Sequence, residues 1–173
     1  MALSAGDYKA VEDQAVAVLL ADTGPGGLKE TGHPAVATIS AGDPGIVQRF
    51  GLSDYPAILV RVMSKSESPA QPVYSVIKTY TVRAMILARG LDRADAEESV
   101  RQIAARLEVV LRNQTATDQQ FQGLPDLIDA AEGVLACLLR ETSFAETQAF
   151  SDHVIAQALV TFEIQAPCAF RYE

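Results

Sequence analysis

Residues 73–87 read VYSVIKTYTVRAMIL, and none of these fifteen positions is Gly, Pro, Asp or Asn. A strand in a compact domain usually runs for about five or six residues. From Tyr80 onward apolar and polar side chains alternate, as is typical of a half-buried antiparallel strand. The stretch therefore predicts one unusually long strand. Lys78 interrupts its more apolar face, so the half before Tyr80 is less suited to a core.

Three further strands are predicted around this one. Residues 57–63 (AILVRVM) are short and apolar, which suits a central, buried strand. Residues 64–72 (SKSESPAQP) are polar and predict a turn region that leads into the long strand. The remaining strands are expected over 134–143 and 153–166, and the last alternates cleanly between apolar and polar positions.

Two amphipathic helices are predicted as well. The first has apolar residues at spacings of three and four from Tyr8 to Leu19. Ser4 or Gly6 suits its start, and Gly24 with Pro25 ends it. The second begins at Asp92, a good N-cap followed by acids in the first turns, and Asn113 closes it. Its apolar stripe comprises Val100, Ile103, Ala104, Leu107, Val110 and Leu111.

Long connections are expected at 22–52 and 114–132. Residues 22–34 (DTGPGGLKETGHP) are dense in breakers and predict a surface loop. AVATIS (35–40) fits a short strand, PGIVQRFGL (44–52) a turn of helix, and LPDLIDAAEG (124–133) a short second helix. The order α-β-β-α-β-β predicts an α+β fold, an antiparallel sheet with helices packed on one face. The length of 173 residues suits a single domain, 1–173.

Composition narrows the possible functions. A net charge of −8 disfavours specific nucleic-acid binding, which depends on a basic surface. The first residues, MALSAGDYKAVEDQ, predict no signal peptide, and no run suggests a membrane span. Two cysteines, Cys137 and Cys168, form no disulfide framework, and free thiols fit a reducing cytoplasm.

The sequence predicts no catalytic, cofactor or metal site. His33 and His153 lie apart in a loop and at a strand start, without metal-ligand spacing. Cys137 with His153 is a formal nucleophile pair, but Cys137 lies within the apolar run VLACLLR, where thiols are usually inert. GPGGLK (24–29) matches no phosphate-binding loop. Acids such as Glu97 and Glu98 suit a helix start without acid–base catalysis.

The chain resembles the tail terminator, or tail completion, proteins of long-tailed bacteriophages and phage-like particles. The resemblance rests on an amphipathic first helix, an apolar strand introduced by DYPAILVRV, and a long strand rich in Val, Thr and Tyr. It continues with the helix around DAEESVRQIAARLEVVL and a closing strand pair that ends in QALVTFEIQAPCAFRYE. It covers most of residues 54–172, and the first helix more loosely.

The resemblance implies a structural virion protein without a cofactor. Such proteins form a hexameric ring that caps the head-proximal end of the tail tube, stops tube growth and joins the head connector. DNA passes through the ring without specific binding. The expected location is the tail or neck of a virion assembled in the host cytoplasm. The added length at 22–52 and 114–132 leaves open a neck connector or head-completion (stopper) role, and a small-ligand-binding α+β domain is a more distant alternative.

A ring offers a use for the long strand, because each subunit meets the next through a different patch. The distal half of the strand is expected to present backbone groups and side chains to a neighbouring copy. The alternative is a long bent strand wholly inside one domain. The predicted interface residues are Lys65, Glu67, Val73, Tyr74, Val76, Ile77 and Lys78. The apolar ones among them should contribute more than the charged ones, since exposed ion pairs give only about 0–1 kcal/mol.

Overall fold

The structure, a computed structural model, describes residues 6–42, 51–70, 75–112 and 136–169. The predicted helix at 124–133, most of PGIVQRFGL, and the interface residues Val73 and Tyr74 lie outside these ranges. In chain order the elements are α1 (Gly6–Leu20), β1 (Thr38–Ala41), a 3-10 helix (Leu52–Asp54), β2 (Ala57–Ala70), β3 (Ser75–Gly90), α2 (Arg93–Arg112), β4 (Ala136–Phe144), β5 (Gln148–Ala149) and β6 (Val154–Ala169).

The six strands form one sheet in the order β1-β2-β3-β6-β4, with β5 paired to β6 at one end. The fold is α+β, with both helices on one face, as predicted. The prediction of a wholly antiparallel sheet is wrong at one edge, because β1 runs parallel to β2 through the pairs Thr38↔Ala57 to Ala41↔Val60. Every other described pairing is antiparallel.

The helix α2 forms as its sequence predicts. The backbone N–H of Asp95 donates to Oδ1 of Asp92 at 2.9 Å, which confirms the N-cap. Ala96 and five of the six residues of the predicted stripe are buried; Val110 is half-buried. They pack on the alternating face of β3 and β6, so the core lies between the helices and one side of the sheet. Buried residues of β6 are Ala156, Ala158, Val160, Phe162, Ile164 and Ala166.

Strand β2 is twice as long as its apolar sequence predicts. Residues 64–70, expected as part of a turn, continue the strand and pair with 75–81 of β3. Their Ser, Lys and Glu side chains give no apolar face, so the hydropathy pattern carries no strand signal there. Hydrogen bonding to the long β3 supplies what the pattern lacks.

Two β-bulges lie at the same level of the sheet. In β2 the register against β3 shifts between Val62 and Ser64, so that Met63 is the extra residue. In β4 the register against β6 shifts between Leu139 and Glu141, leaving Arg140 extra. Val62 and Leu139 belong to one row, because Val62 pairs with Val82, Val82 with Phe162, and Phe162 with Leu139. Since bulges increase local twist, the sheet turns along this row.

The glycine-rich segment after α1 is more than a surface loop. Leu28 and Val36 are fully buried in the core. Oδ2 of Asp22 accepts hydrogen bonds at 2.8 Å from the backbone N–H of Leu28 and from Nε of Arg106. Nζ of Lys29 donates to the carbonyls of Val36 and Ala37. The loop is thereby tied to α2 through Asp22.

Replacing Asp22 by Asn should lower the free energy of unfolding at pH 7 by about 1–2 kcal/mol, because the charge-assisted bonds to Arg106 and Leu28 weaken. The carboxyl pKa in the folded state lies below 3.8, chiefly because of the Arg106 hydrogen bond. The difference between wild type and Asp22→Asn is therefore full at neutral pH. It should shrink as the pH falls below about 4 toward the folded-state pKa.

Denaturant unfolding of both proteins at a series of pH values measures this difference. Asp13→Asn is the matched control, because Asp13 pairs with Lys9 at the surface, and the substitution should cost about 0–0.5 kcal/mol. Equal losses for the two substitutions, or a difference independent of pH, would contradict the role given to Asp22.

Candidate assembly surface

Three strands of the sheet are longer than the helices that cover them. Strand β3 has 16 residues and spans about 53 Å at about 3.3 Å per residue. Helix α2 has 20 residues and spans only about 30 Å at 1.5 Å per residue. Because α2 starts just after the end of β3 and packs back along it, it reaches about nine strand residues. The strand residues before Tyr80 extend past it.

The part of the sheet beyond the helices is called the arm here. It comprises residues 64–70 of β2, 75–79 of β3 and 165–169 of β6. Residues 66–70 and 165–169 pair with 75–79 on its two sides, and residues 64 and 65 pair with Thr81 and Tyr80 where the arm begins. The boundary lies at Tyr80, whose ring is fully buried and meets Tyr8 of α1 edge-on, with ring centroids 6.2 Å apart. Tyr8 is in the first turn of α1, so α1 also ends its contact with the sheet near this row.

A carboxylate of α1 marks the place where β1 stops. Pairing between β1 and β2 ends at Val60, whose carbonyl accepts the N–H of Gly42. The next outward backbone N–H of β2, that of Val62, donates to Oε1 of Glu12 at 2.9 Å. Within the described residues no strand pairs with the outer edge of β2 after this point. Glu12 therefore stands between the paired edge and the arm.

The predicted interface residues that the structure describes all lie in the arm. Strand register places Lys65, Glu67, Val76 and Lys78 on the same face as the helices, and Ile77 on the opposite face. Nζ of Lys65 lies 2.7 Å from Oε1 of Glu67, and Glu67 pairs across the strands with Lys78. The arm therefore has a charged row on one face and the apolar Ile77 on the other.

For residues 75–78, the expectation that the strand presents backbone groups to a neighbour is wrong. Ser75 pairs with Ala70 on one side and with Ala169 on the other, and pairing continues on both sides to the end of the strand. A central strand has no unpaired ladder groups to offer. Any contact made by Val76, Ile77 or Lys78 must run through side chains.

The face of the sheet opposite the helices carries a feature that the sequence reasoning missed. A groove of about 220 Å³ is lined there by Gly42, Leu59, Arg61, Met63, Arg83, Met85, Gln157 and Leu159. Arg61 and Arg83 lie directly opposite each other on adjacent strands. Nε of Arg83 is buried and has no hydrogen-bond partner in the described part of the chain. The period-two pattern places both arginines on this face, but only the β2–β3 register brings them together.

At the other end of the sheet, polar groups meet beside the start of β6. Nδ1 of His153 lies 2.5 Å from Oδ1 of Asp152, and this hydrogen bond lowers the pKa of the Asp152 carboxyl. The His153 ring stacks on Phe150, with centroids 4.8 Å apart. A guanidinium nitrogen of Arg89 lies 3.7 Å from Asp152. The arrangement closes the loop between β5 and β6.

The acidic start of α2 is occupied by structural contacts. Oε1 of Glu97 accepts from Nε of Arg93 at 2.6 Å and from the hydroxyl of Thr147 at 2.8 Å. These bonds, first that from Arg93, lower the pKa of Glu97. Glu98 accepts from Gln102 one turn later. Glu97 therefore links α2 to the segment after β4.

The formal Cys–His pair is not assembled. Cys137 is buried in β4 opposite Ile164, eleven residues from His153 along β6, a separation of more than about 30 Å. Burial raises the pKa of the Cys137 thiol to about 12. A thiol with this pKa is almost wholly protonated at neutral pH and is a poor nucleophile.

The described residues hold neither a metal-binding cluster nor a membrane-spanning helix. No three His, Cys, Asp or Glu side chains in the described ranges gather into a cluster that could hold a metal ion. No helix in the described part of the chain is long and apolar enough to cross a membrane.

Comparison with known proteins gave a likeness in fold to a solved structure. No protein-family model and no curated protein matches the chain. Among solved structures, the chain is similar to one described as "Virion of native gene transfer agent (GTA) particle", with 13% sequence identity and a TM-score of 0.47. The match covers 96% of this chain and 95% of that one. A TM-score this low assigns neither a function nor a residue role.

The reactivity of Cys137 tests its buried position. In a Cys168→Ser variant Cys137 is the only thiol, and it should react with a disulfide reagent at pH 8 at least about a hundredfold more slowly in the folded than in the unfolded protein. Absorbance of the released thiol gives both rates. Similar rates in the two states would mean that Cys137 is accessible and ionised, and would reopen the nucleophile hypothesis.

Proposed function

We propose that the protein is a structural component of a phage-type tail. In this proposal, copies of the chain form a ring that caps the head-proximal end of the tail tube, ends tube growth and joins the tail to the head connector. The proposal assigns no catalytic residue, cofactor or metal. The observation that carries it is the arm, because a three-stranded extension beyond the helical layer is a shape suited to contact with a neighbouring copy.

The two faces of the arm support assembly through their side chains, because the backbone of its central strand is already paired on both sides. A sheet within a domain normally buries at least one face against another layer. From its length, α2 reaches along β3 only to about Tyr80. Beyond it Ala166 is buried, whereas Val76, Ile77 and Lys78 are only half-buried, and Ile77 lies on the face opposite the charged row. Contact with a second copy would bury such side chains. A contact between two different patches on successive copies closes into a ring when the rotation per copy permits.

The observed order of elements supports the resemblance to tail terminators. A first amphipathic helix, a long strand pair, a second helix and a closing antiparallel pair follow one another in the described residues. These are the features on which the resemblance rests. The parallel strand β1 and the short β5 are additions to the predicted order.

The proposed ring would meet both ends of a tail–head junction. The partners are other copies of this chain, a tail tube protein and head connector proteins, in the tail or neck of a virion. DNA would pass through the ring without specific binding. The net charge of −8 on each copy favours such a conduit, since an acidic surface repels the phosphate backbone.

Native mass spectrometry over a range of protein concentrations tests ring formation. We expect six copies per particle, and purified tail tubes should recruit the protein in a co-sedimentation assay. Twelve copies would favour a neck connector instead. A protein that neither forms a closed particle nor sediments with tubes would rule out the terminator role.

Substitution in the arm tests where the copies meet. Ile77→Ser should weaken self-association about tenfold or more, since burying an aliphatic side chain contributes about 1.5–3 kcal/mol. Sedimentation velocity measures the effect, and thermal melting confirms that the variant folds.

Leu20→Ser is the matched control, because Leu20 is 41% exposed at the end of α1, away from the arm. It should associate like the wild type. If Ile77→Ser and Val76→Ser both assemble as well as this control, the copies do not meet through the arm.

A further inference from the structure

We infer that the groove on the helix-free face of the sheet receives the turn between β3 and α2 of a second copy. The groove offers apolar side chains from Leu59, Met85 and Leu159, with Arg83 at its side. The turn offers Leu91 with Asp92 and Asp95. The inference rests on the proposed ring and names the two surfaces that join its subunits.

The groove combines an apolar floor with a cation. Leu59 and Met85 belong to a small apolar cluster separate from the main core, and Met63 at the rim is 46% exposed. The nearest acid of β6 on this face, Glu163, bonds with Arg140 at 2.6 Å, and Nε of Arg83 has no partner among the described residues. The groove therefore suits an apolar side chain next to a carboxylate.

The turn carries that combination on one exposed segment. Leu91 is 87% exposed, more than any other large apolar side chain in the described ranges. Asp92 and Asp95 are exposed beside it. Two cations lie two residues from Leu91: Arg93 bonds with Glu97 at 2.6 Å, and a guanidinium nitrogen of Arg89 lies 3.7 Å from Asp152. Leu91 lines a shallow groove together with Leu52, which is 65% exposed, and exposed apolar side chains that adjoin one another mark contact sites.

The two surfaces cannot meet within one molecule. Arg83 lies seven residues before Gly90 on β3, about 23 Å along a rigid strand, so the turn must reach the groove of another copy. Because turn and groove differ, every copy both gives and receives the contact. Such a heterologous contact repeats from copy to copy and closes into a ring when the geometry permits.

Charge reversal separates this contact from other modes of association. In Arg83→Glu a carboxylate replaces the guanidinium that would face the acidic turn, and it repels the turn of another identical copy. In Asp95→Arg the turn carries a new cation, which is repelled by Arg83 in the groove of another identical copy. Each variant alone should self-associate at least about tenfold more weakly, since close charge pairs at interfaces couple by about 1.5 kcal/mol or more. Asp95 is chosen because Asp92 caps α2.

An equimolar mixture of the two variants is the decisive measurement. The new carboxylate in the groove of Arg83→Glu pairs with the new cation in the turn of Asp95→Arg. The unchanged turn of the first variant fits the unchanged groove of the second. Sedimentation velocity should find association of the mixture restored to within about threefold of the wild type, a difference below 1 kcal/mol. Asp13→Arg is the control for Asp95→Arg, because it makes the same change of charge on the exposed face of α1. This control should associate normally.

The outcomes distinguish this inference from the proposed function. Normal association of either variant alone, or no rescue in the mixture, overturns the contact while leaving a ring possible through other surfaces. A wild-type protein that stays monomeric also overturns it, whereas tube recruitment then still tests the terminator role. If melting curves show that Arg83→Glu does not fold, Leu91→Ser replaces it. Leu91→Ser should weaken association at least about tenfold, since it removes an apolar side chain that the contact would bury. Normal association of this variant would overturn the contact.

Discussion

The difference in rise per residue between strand and helix governs this structure. A strand advances about 3.3 Å per residue and a helix 1.5 Å, so 20 helical residues cover little more than half of a 16-residue strand. Each of β2, β3 and β6 continues past the helical layer for this reason. Within the described residues, the chain thus divides into a core built as a two-layer domain and an arm that extends past the two helices.

The sequence predicted the core well because burial there leaves a pattern. The stripe of α2 and the alternation of β6 both follow directly from contact with one apolar layer. It did not predict residues 64–70 as strand, since their polar side chains carry no periodic signal. It allowed a short strand at 35–40 but missed the parallel pairing of β1 with β2, and it missed the burial of Leu28, because both depend on contacts between distant segments.

The candidate surfaces divide in the same way. Residues such as Ile77 could be named from the sequence because an uninterrupted strand is visible there. The arginine-lined groove could not, because Arg61 and Arg83 lie 22 positions apart and meet only through the register of β2 with β3. That register depends in turn on the bulge at Met63. Surfaces made by pairing remain hidden until the pairing is known.

The two bulges have a consequence for any closed assembly. Met63 and Arg140 are single inserted residues at one level of the sheet, and inserted residues change the direction of the strands that follow. The arm leaves the core at this level. Its angle to the core therefore depends on two residues that lie outside the arm. A deletion at either position would redirect the arm and leave its side chains intact. Because Met63 also lines the groove, only the bulge at Arg140 would change the curvature, and with it the diameter of a ring, without removing a side chain from either proposed contact surface.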